Sequence, residues 1–238
     1  MTTVISRTTR LIADGLQRAV HLRRTRGTRR MLYSLTRRVV ALSTVRPFAR
    51  VTAVDVLHVA LSAQKKPSRT PRSFVVRAAT EADVTALAEY YAAPRLVQDR
   101  FQRGDLCAMT LCQDRIGAAV WIAIGPNEYR EDWEDLRCSF RCPAGTGFTY
   151  DGKGTKLGAW GTMMVRLPEL LRGTGITELY TVIDCNNWQS SDTHRSLGYA
   201  NVGLLTTVRL CGLTFRVCRP RDHRWRRPPT RIGSLEIA

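Results

Sequence analysis

The excess positive charge of this chain, +17 over 238 residues, is confined to its two ends, and that partition limits where a core can form. Residues 1–72 carry 16 basic and 2 acidic side chains, and residues 219–238 carry 6 and 2. Residues 73–218 carry 15 and 16. A strongly cationic segment repels itself, so the near-neutral middle is where a compact domain is expected, flanked by cationic arms. With 44% hydrophobic residues the chain lies far from a disordered composition. No apolar run approaches the roughly 18 residues needed to span a bilayer. Seven cysteines, an odd count without a secretory signal, suit a reducing compartment, and a cytoplasmic location is expected. Cys138-x3-Cys142 is the one close pair, and no second Cys/His pair at zinc spacing accompanies it, so no metal is expected.

Residues 7–44 have the period of an amphipathic helix: Leu11, Ile12, Leu16, Ala19 and Val20, then Met31, Leu32, Leu35, Val39 and Leu42, with a break near Gly27. Residues 50–62 are β-branched and alternating, a strand, and Gln64 to Ser73 is a linker by composition. Beyond it Phe74 to Arg77 predicts a strand, and Thr80-Glu81-Ala82-Asp83 predicts a capping box opening a helix to about Ala93. Strands are expected at 105–112 and 116–124, then a long connection over 125–146, acidic between Glu128 and Asp135. A strand at 147–151, a helix at 159–173 interrupted by Pro168, a strand at 177–184, a helix at 188–197 and a hairpin of 202–210 with 213–218 complete the pattern. The division expected is an Arg-rich helical arm over 1–48, a strand and linker over 49–72, a domain over 73–218 and a flexible basic tail over 219–238.

Within the domain, Asn187-Trp188-Gln189-Ser190-Ser191-Asp192-Thr193-His194-Arg195-Ser196-Leu197-Gly198-Tyr199, followed by Asn201-Val202-Gly203, resembles a signature of the GNAT superfamily (Gcn5-related N-acetyltransferases). Arg77 to Asp83 resembles the first strand-to-helix junction of that family, and the two together cover roughly 74–218. The resemblance implies a mixed α/β (α+β) fold with a mostly antiparallel central sheet flanked by helices. It implies a phosphate-binding loop at Lys153, Gly154, Thr155, Lys156, Leu157 and Gly158. Glycines are needed there so that bare N–H groups at a helix N-terminus can approach a diphosphate. The segment is several residues shorter than the family pattern; one register puts Lys153 in the place of the family's arginine, with Lys156 where a glycine normally lies, and a second register uses Lys156, Ala159 and Gly161.

The activity implied is transfer of an acyl group, usually acetyl, from acetyl-CoA or another acyl-CoA to an amine by direct attack, without a metal. His194 stands where the family commonly has a tyrosine that protonates the departing thiolate, and an imidazole can do the same. Asp151 is a candidate general base or water-orienting group, or else a turn-forming aspartate. Asn187 and Ser190 are candidate cofactor contacts, with Asn187 alternatively fixing the strand-to-helix turn. The acidic run with Tyr129 and Trp133 suits a cationic small-molecule or peptide amine acceptor, or else pairs with the chain's own arginines. Residues 1–50 support a different class of function, a catalytically degenerate module holding nucleic acid or an anionic membrane surface. The alternative for the arm is simple packing on the domain.

Overall fold

The structure, a computed structural model, describes residues 28–42, 49–64, 73–126, 128–131, 138–211, 213–220 and 234–236. Helix α1 spans Thr28–Leu42, and strand β1, Ala49–Ala60, leads through one 3-10 turn to Gln64. Strand β2 (Val75–Ala78), helices α2 (Val84–Tyr91) and α3 (Pro94–Gln102), and strands β3 (Leu106–Cys112) and β4 (Arg115–Ile124) follow. Short strands β5 (Glu128–Glu131) and β6 (Cys138–Arg141) precede β7 (Thr146–Gly154), helix α4 (Ala159–Leu170), strand β8 (Glu178–Asp184) and helix α5 (Trp188–Ser196). Strands β9 (Ala200–Leu210), β10 (Leu213–Pro220) and β11 (Ser234–Glu236) close the order.

Eight strands form one sheet in the order β10-β9-β1-β8-β7-β4-β3-β2, antiparallel throughout except for the parallel β7–β8 pair. Strand alternation sends Val54, Val56, Met109, Trp121 and Phe148 to one face, where α2 and α3 contribute Leu87 and Val97. It sends Leu57, Val59, Val120, Ile122 and Leu179 to the other, against Met163, Met164 and Leu167 of α4. With both faces covered, the central strands need apolar residues at nearly every position, as β1 and β4 have. The fold is thus mixed α/β, with a mostly antiparallel sheet between helical layers, as expected from the sequence.

Three features differ from the sequence reading. The strand set apart with the linker, β1, lies inside the sheet between β8 and β9, hydrogen-bonded on both sides. The connection read as a long loop forms β5 and β6, pinned because Tyr129 stacks on Phe148 and Tyr150 and Phe140 stacks on Phe148. The tail read as flexible contributes β11, parallel to β6. Residues 1–27 of the arm and 132–137 of the acidic run lie outside the described residues.

Two local devices hold the elements in place. Thr80 and Asp83 make the predicted capping box, and Asp83 also takes two hydrogen bonds from Arg77, at 2.6 and 2.7 Å. Those bonds hold the Asp83 carboxyl well below the usual carboxylate range. In α4, Pro168 has no N–H for the Met164 carbonyl four residues earlier. Gln64 Nε2 donates to that buried oxygen instead, at 2.6 Å.

Candidate functional site

Strands β7 and β8 pair only from Thr146–Thr149 against Glu178–Thr181, and then part. The separation opens a cavity of about 900 Å3 lined by both strands and by residues of α3, α4 and α5. Beyond Thr149, β7 stays with β4 but bulges: Tyr150 faces Trp121 and Lys153 faces Ala119, leaving Asp151 and Gly152 opposite Val120. Asp151 adopts φ 47°, which aspartate tolerates better than most residues. A Cβ at Gly152 would meet Cη2 of Trp160 at 2.2 Å, so any larger residue there must displace that ring.

Of the six loop residues singled out from the sequence, Lys153 and Gly154 still belong to β7. Lys153 Nζ donates to the Tyr90 carbonyl at 2.6 Å and lies 4.8 Å from the centre of the Tyr90 ring, so α2 holds the ammonium. The amides of Thr155 and Lys156 both donate to Gly117 O, and Thr155 Oγ1 turns inward to the same carbonyl. Leu157 is fully exposed, and Gly158 enters α4 with φ 80°. The first intrahelical bond is Thr162 N to Gly158 O, so the amides of Leu157, Gly158, Trp160 and Gly161 have no protein acceptor among the described residues. Four unpaired donors at the start of a twelve-residue helix suit an anion. The residues present therefore fit a diphosphate on the 157–161 amides rather than on the lysines.

Asn187, Ser190 and His194 also line the cavity. Asn187 Oδ1 accepts the Ser190 amide at 3.1 Å, so this side chain caps the helix. His194 is 3% exposed, edge-on to Tyr199 at 4.9 Å and 6.1 Å from the Trp160 ring. Its Nδ1 lies 2.8 Å from Ser190 O. A carbonyl only accepts, so Nδ1 carries the proton and Nε2 keeps a lone pair, with no protein partner among the described residues. Burial pushes the imidazole below its usual range, opposed by the bond to Ser190 O, and the neutral ring is favoured.

The remaining polar lining was not singled out from the sequence. Arg100 of α3 is 5% exposed, enclosed by Tyr150, Trp121 and Tyr91, whose ring centres lie 5.0, 5.2 and 5.7 Å from Cζ. Its Nη1 stands 2.7 Å from Asp151 Oδ2. Tyr150 OH donates to Asp105 Oδ2 at 2.7 Å, and Arg103 Nη2 reaches the same oxygen. Asp184, at the end of β8 and in the cavity lining, accepts from Arg37 of α1 at 2.7 Å and from Tyr33. Here the arm packs on the domain. Pro94 at the first position of α3 and the spacing of Val97, Arg100 and Phe101 were the signals available for this helix.

No protein-family model matches the chain, and no curated protein matches it. Among solved structures it is similar to a conserved Staphylococcus epidermidis protein of unknown function, at 11% identity over 73% of this chain and 68% of that one, TM-score 0.50. It is similar to a Drosophila protein at 15% identity over 75% of this chain, TM-score 0.47, and spans 58% of that protein's length. A GCN5-related N-acetyltransferase from Kribbella flavida is similar at 12% identity over 78% of this chain and 65% of that one, TM-score 0.45. The class of protein defined is an α/β domain built around two parted parallel strands. Its likeness to the Staphylococcus epidermidis protein is one of fold alone.

Proposed function

We propose that this protein is an N-acyltransferase that moves an acyl group, acetyl in the first instance, from an acyl-CoA to a primary amine. The observation that carries the reading is the parting of β7 from β8 after Thr149 and Thr181, around a cavity where a buried neutral histidine offers an unpartnered Nε2. An acyl-CoA, when bound, supplies the activated carbonyl and a thiolate leaving group. The amides of 157, 158, 160 and 161 would hold its diphosphate, and the unpaired edges of β7 and β8 would flank its extended arm. Lys156 is the remaining loop cation, a point charge beside that anion.

The proton follows from the tautomer. An amine attacks only when neutral and must shed a proton as its N–C bond forms while the C–S bond breaks. His194, neutral with Nδ1–H fixed on Ser190 O, takes that proton at Nε2 and, once charged, returns it to the thiolate sulfur. The sequence-based role of thiolate acid is thus the second half of a relay that begins with His194 as base. Asp151, ion-paired with Arg100, lines the same cavity.

Calorimetry with acetyl-CoA should show one site per chain, and thiol release should require an added amine. His194→Phe should keep the acetyl-CoA affinity and lose at least 100-fold in kcat. Turnover unchanged in that variant would remove His194 from the mechanism, and absence of acetyl-CoA binding would remove the reading itself.

A further inference from the structure

Arg100 is a buried cation whose hydrogen bonding is incomplete. A guanidinium has five N–H donors in a fixed plane. Here Nε and Nη1 are enclosed and have no hydrogen-bond partner among the described residues, and Nη1 lies 2.7 Å from Asp151 Oδ2, an ion pair. Nη2, the nitrogen not fully enclosed, has no hydrogen-bond partner among the described residues, and the side chain lines the cavity. The surrounding rings of Tyr91, Trp121 and Tyr150 hold the charge through their faces but offer nothing in the guanidinium plane. The one opposing carboxylate, Asp151, is 43% exposed at the bulge and free to swing into solvent. Of the other acids of the lining, Asp105 and Asp184 are already bonded to Arg103 and Arg37, and Glu128, exposed on β5, forms no ion pair with Arg100.

The geometry points to a carboxylate-binding subsite at Arg100, so that the acceptor is an amine that also carries a carboxylate, of amino-acid type. This rests on the acyltransferase reading and narrows its substrate class. The incoming carboxylate takes the fork of Arg100, displacing Asp151, and the amine end of the molecule then extends along the cavity toward the parted strands and His194. An acceptor that is purely cationic, as the acidic run suggested from sequence, would leave the buried guanidinium as unsatisfied as it is now.

The test uses the full chain and matched pairs: phenylalanine against phenethylamine, lysine against cadaverine, and β-alanine against phosphoethanolamine. With thiol release as readout, kcat/KM should favour the carboxylate member of each pair at least tenfold. Arg100→Lys should bring that ratio close to one, through a raised KM for the carboxylate members. Asp151→Asn, at a φ that asparagine tolerates well, removes the competing carboxylate and should lower KM for carboxylate acceptors several-fold. A wild-type ratio near one, a ratio kept in Arg100→Lys, preference for phosphoethanolamine, or an unchanged KM in Asp151→Asn would overturn the subsite. Acetyl-CoA binding is measured separately by calorimetry. If it is absent, the acyltransferase reading falls, and direct titration of the same pairs decides the subsite: carboxylate-selective binding lost in Arg100→Lys sustains it, and equal or no binding ends it.

Discussion

The bond from Gln64 to Met164 gives a sharp test of how this fold tolerates proline inside α4. Pro168 removes the helical donor to Met164 O, and that carbonyl belongs to a fully buried residue. Replacing Gln64 by leucine keeps the volume but leaves the oxygen unpaired, at a cost of about 1–3 kcal/mol. Part of this is returned, because Gln64 Oε1 is itself buried without a partner and leucine has no such atom. The expected net loss is therefore about 1–2 kcal/mol, or roughly 2–8 °C in Tm for a domain of this size. In a Pro168→Ala background the amide of residue 168 takes the carbonyl, and Gln64→Leu should then cost close to nothing. Urea unfolding of the four proteins, with m unchanged, yields a coupling of about 1–2 kcal/mol. An equal penalty for Gln64→Leu in both backgrounds would refute the idea that the glutamine substitutes for the missing amide.

Other perturbations test separate parts of the structure. Gly152→Ala must push the Trp160 ring toward the cavity, costing about 1–3 kcal/mol by denaturation, and a Trp160→Ala background should remove most of that cost. Because burial lowers the His194 pKa, Nε2 stays unprotonated down to pH values below the ordinary 6.5, so the acid limb of kcat/KM should fall below that pH. The same sign applies to folding: the unfolded imidazole binds protons first, so His194 lowers stability only as pH drops through that range, and His194→Phe should flatten both profiles. Asp83→Asn weakens the capping box and the pair with Arg77, and should cost about 1–2 kcal/mol at neutral pH, with a smaller difference from wild type in strong acid. The Arg-rich N-terminal region is proposed to bind polyanions: retention on heparin should fall steeply with salt and weaken when residues 1–27 are removed.

Much of this architecture was legible because its signals are local. The capping box at Thr80, the Asn187 cap and the apolar runs of β4 and β8 each depend on a few neighbouring residues. The short strands β5 and β6 were not legible, since what holds them is stacking between Tyr129, Phe140 and Phe148, residues whose meeting depends on the finished sheet. For the site, the sequence led to His194 but not to its tautomer, which is set by distance to Ser190 O. It led to the 153–158 loop, yet the bond of Lys153 to Tyr90 and of two amides to Gly117 O moves the open donors onward to 157–161. Arg100 was hidden because arginine on a helix is ordinarily a surface residue, and only the aromatic walls from three other elements bury it.

The place of β1 carries a consequence for how the chain reaches this state. Its register joins Val54 to Asp184 on one side and to Leu205 on the other, so a strand made early in synthesis waits for partners near the far end of the polypeptide. Until both arrive, an apolar ribbon has two open margins, which makes nascent or truncated forms prone to stick to one another. Removing residues 49–60 would not trim an appendage; it would split the sheet down its middle, parting β9 and β10 from everything else.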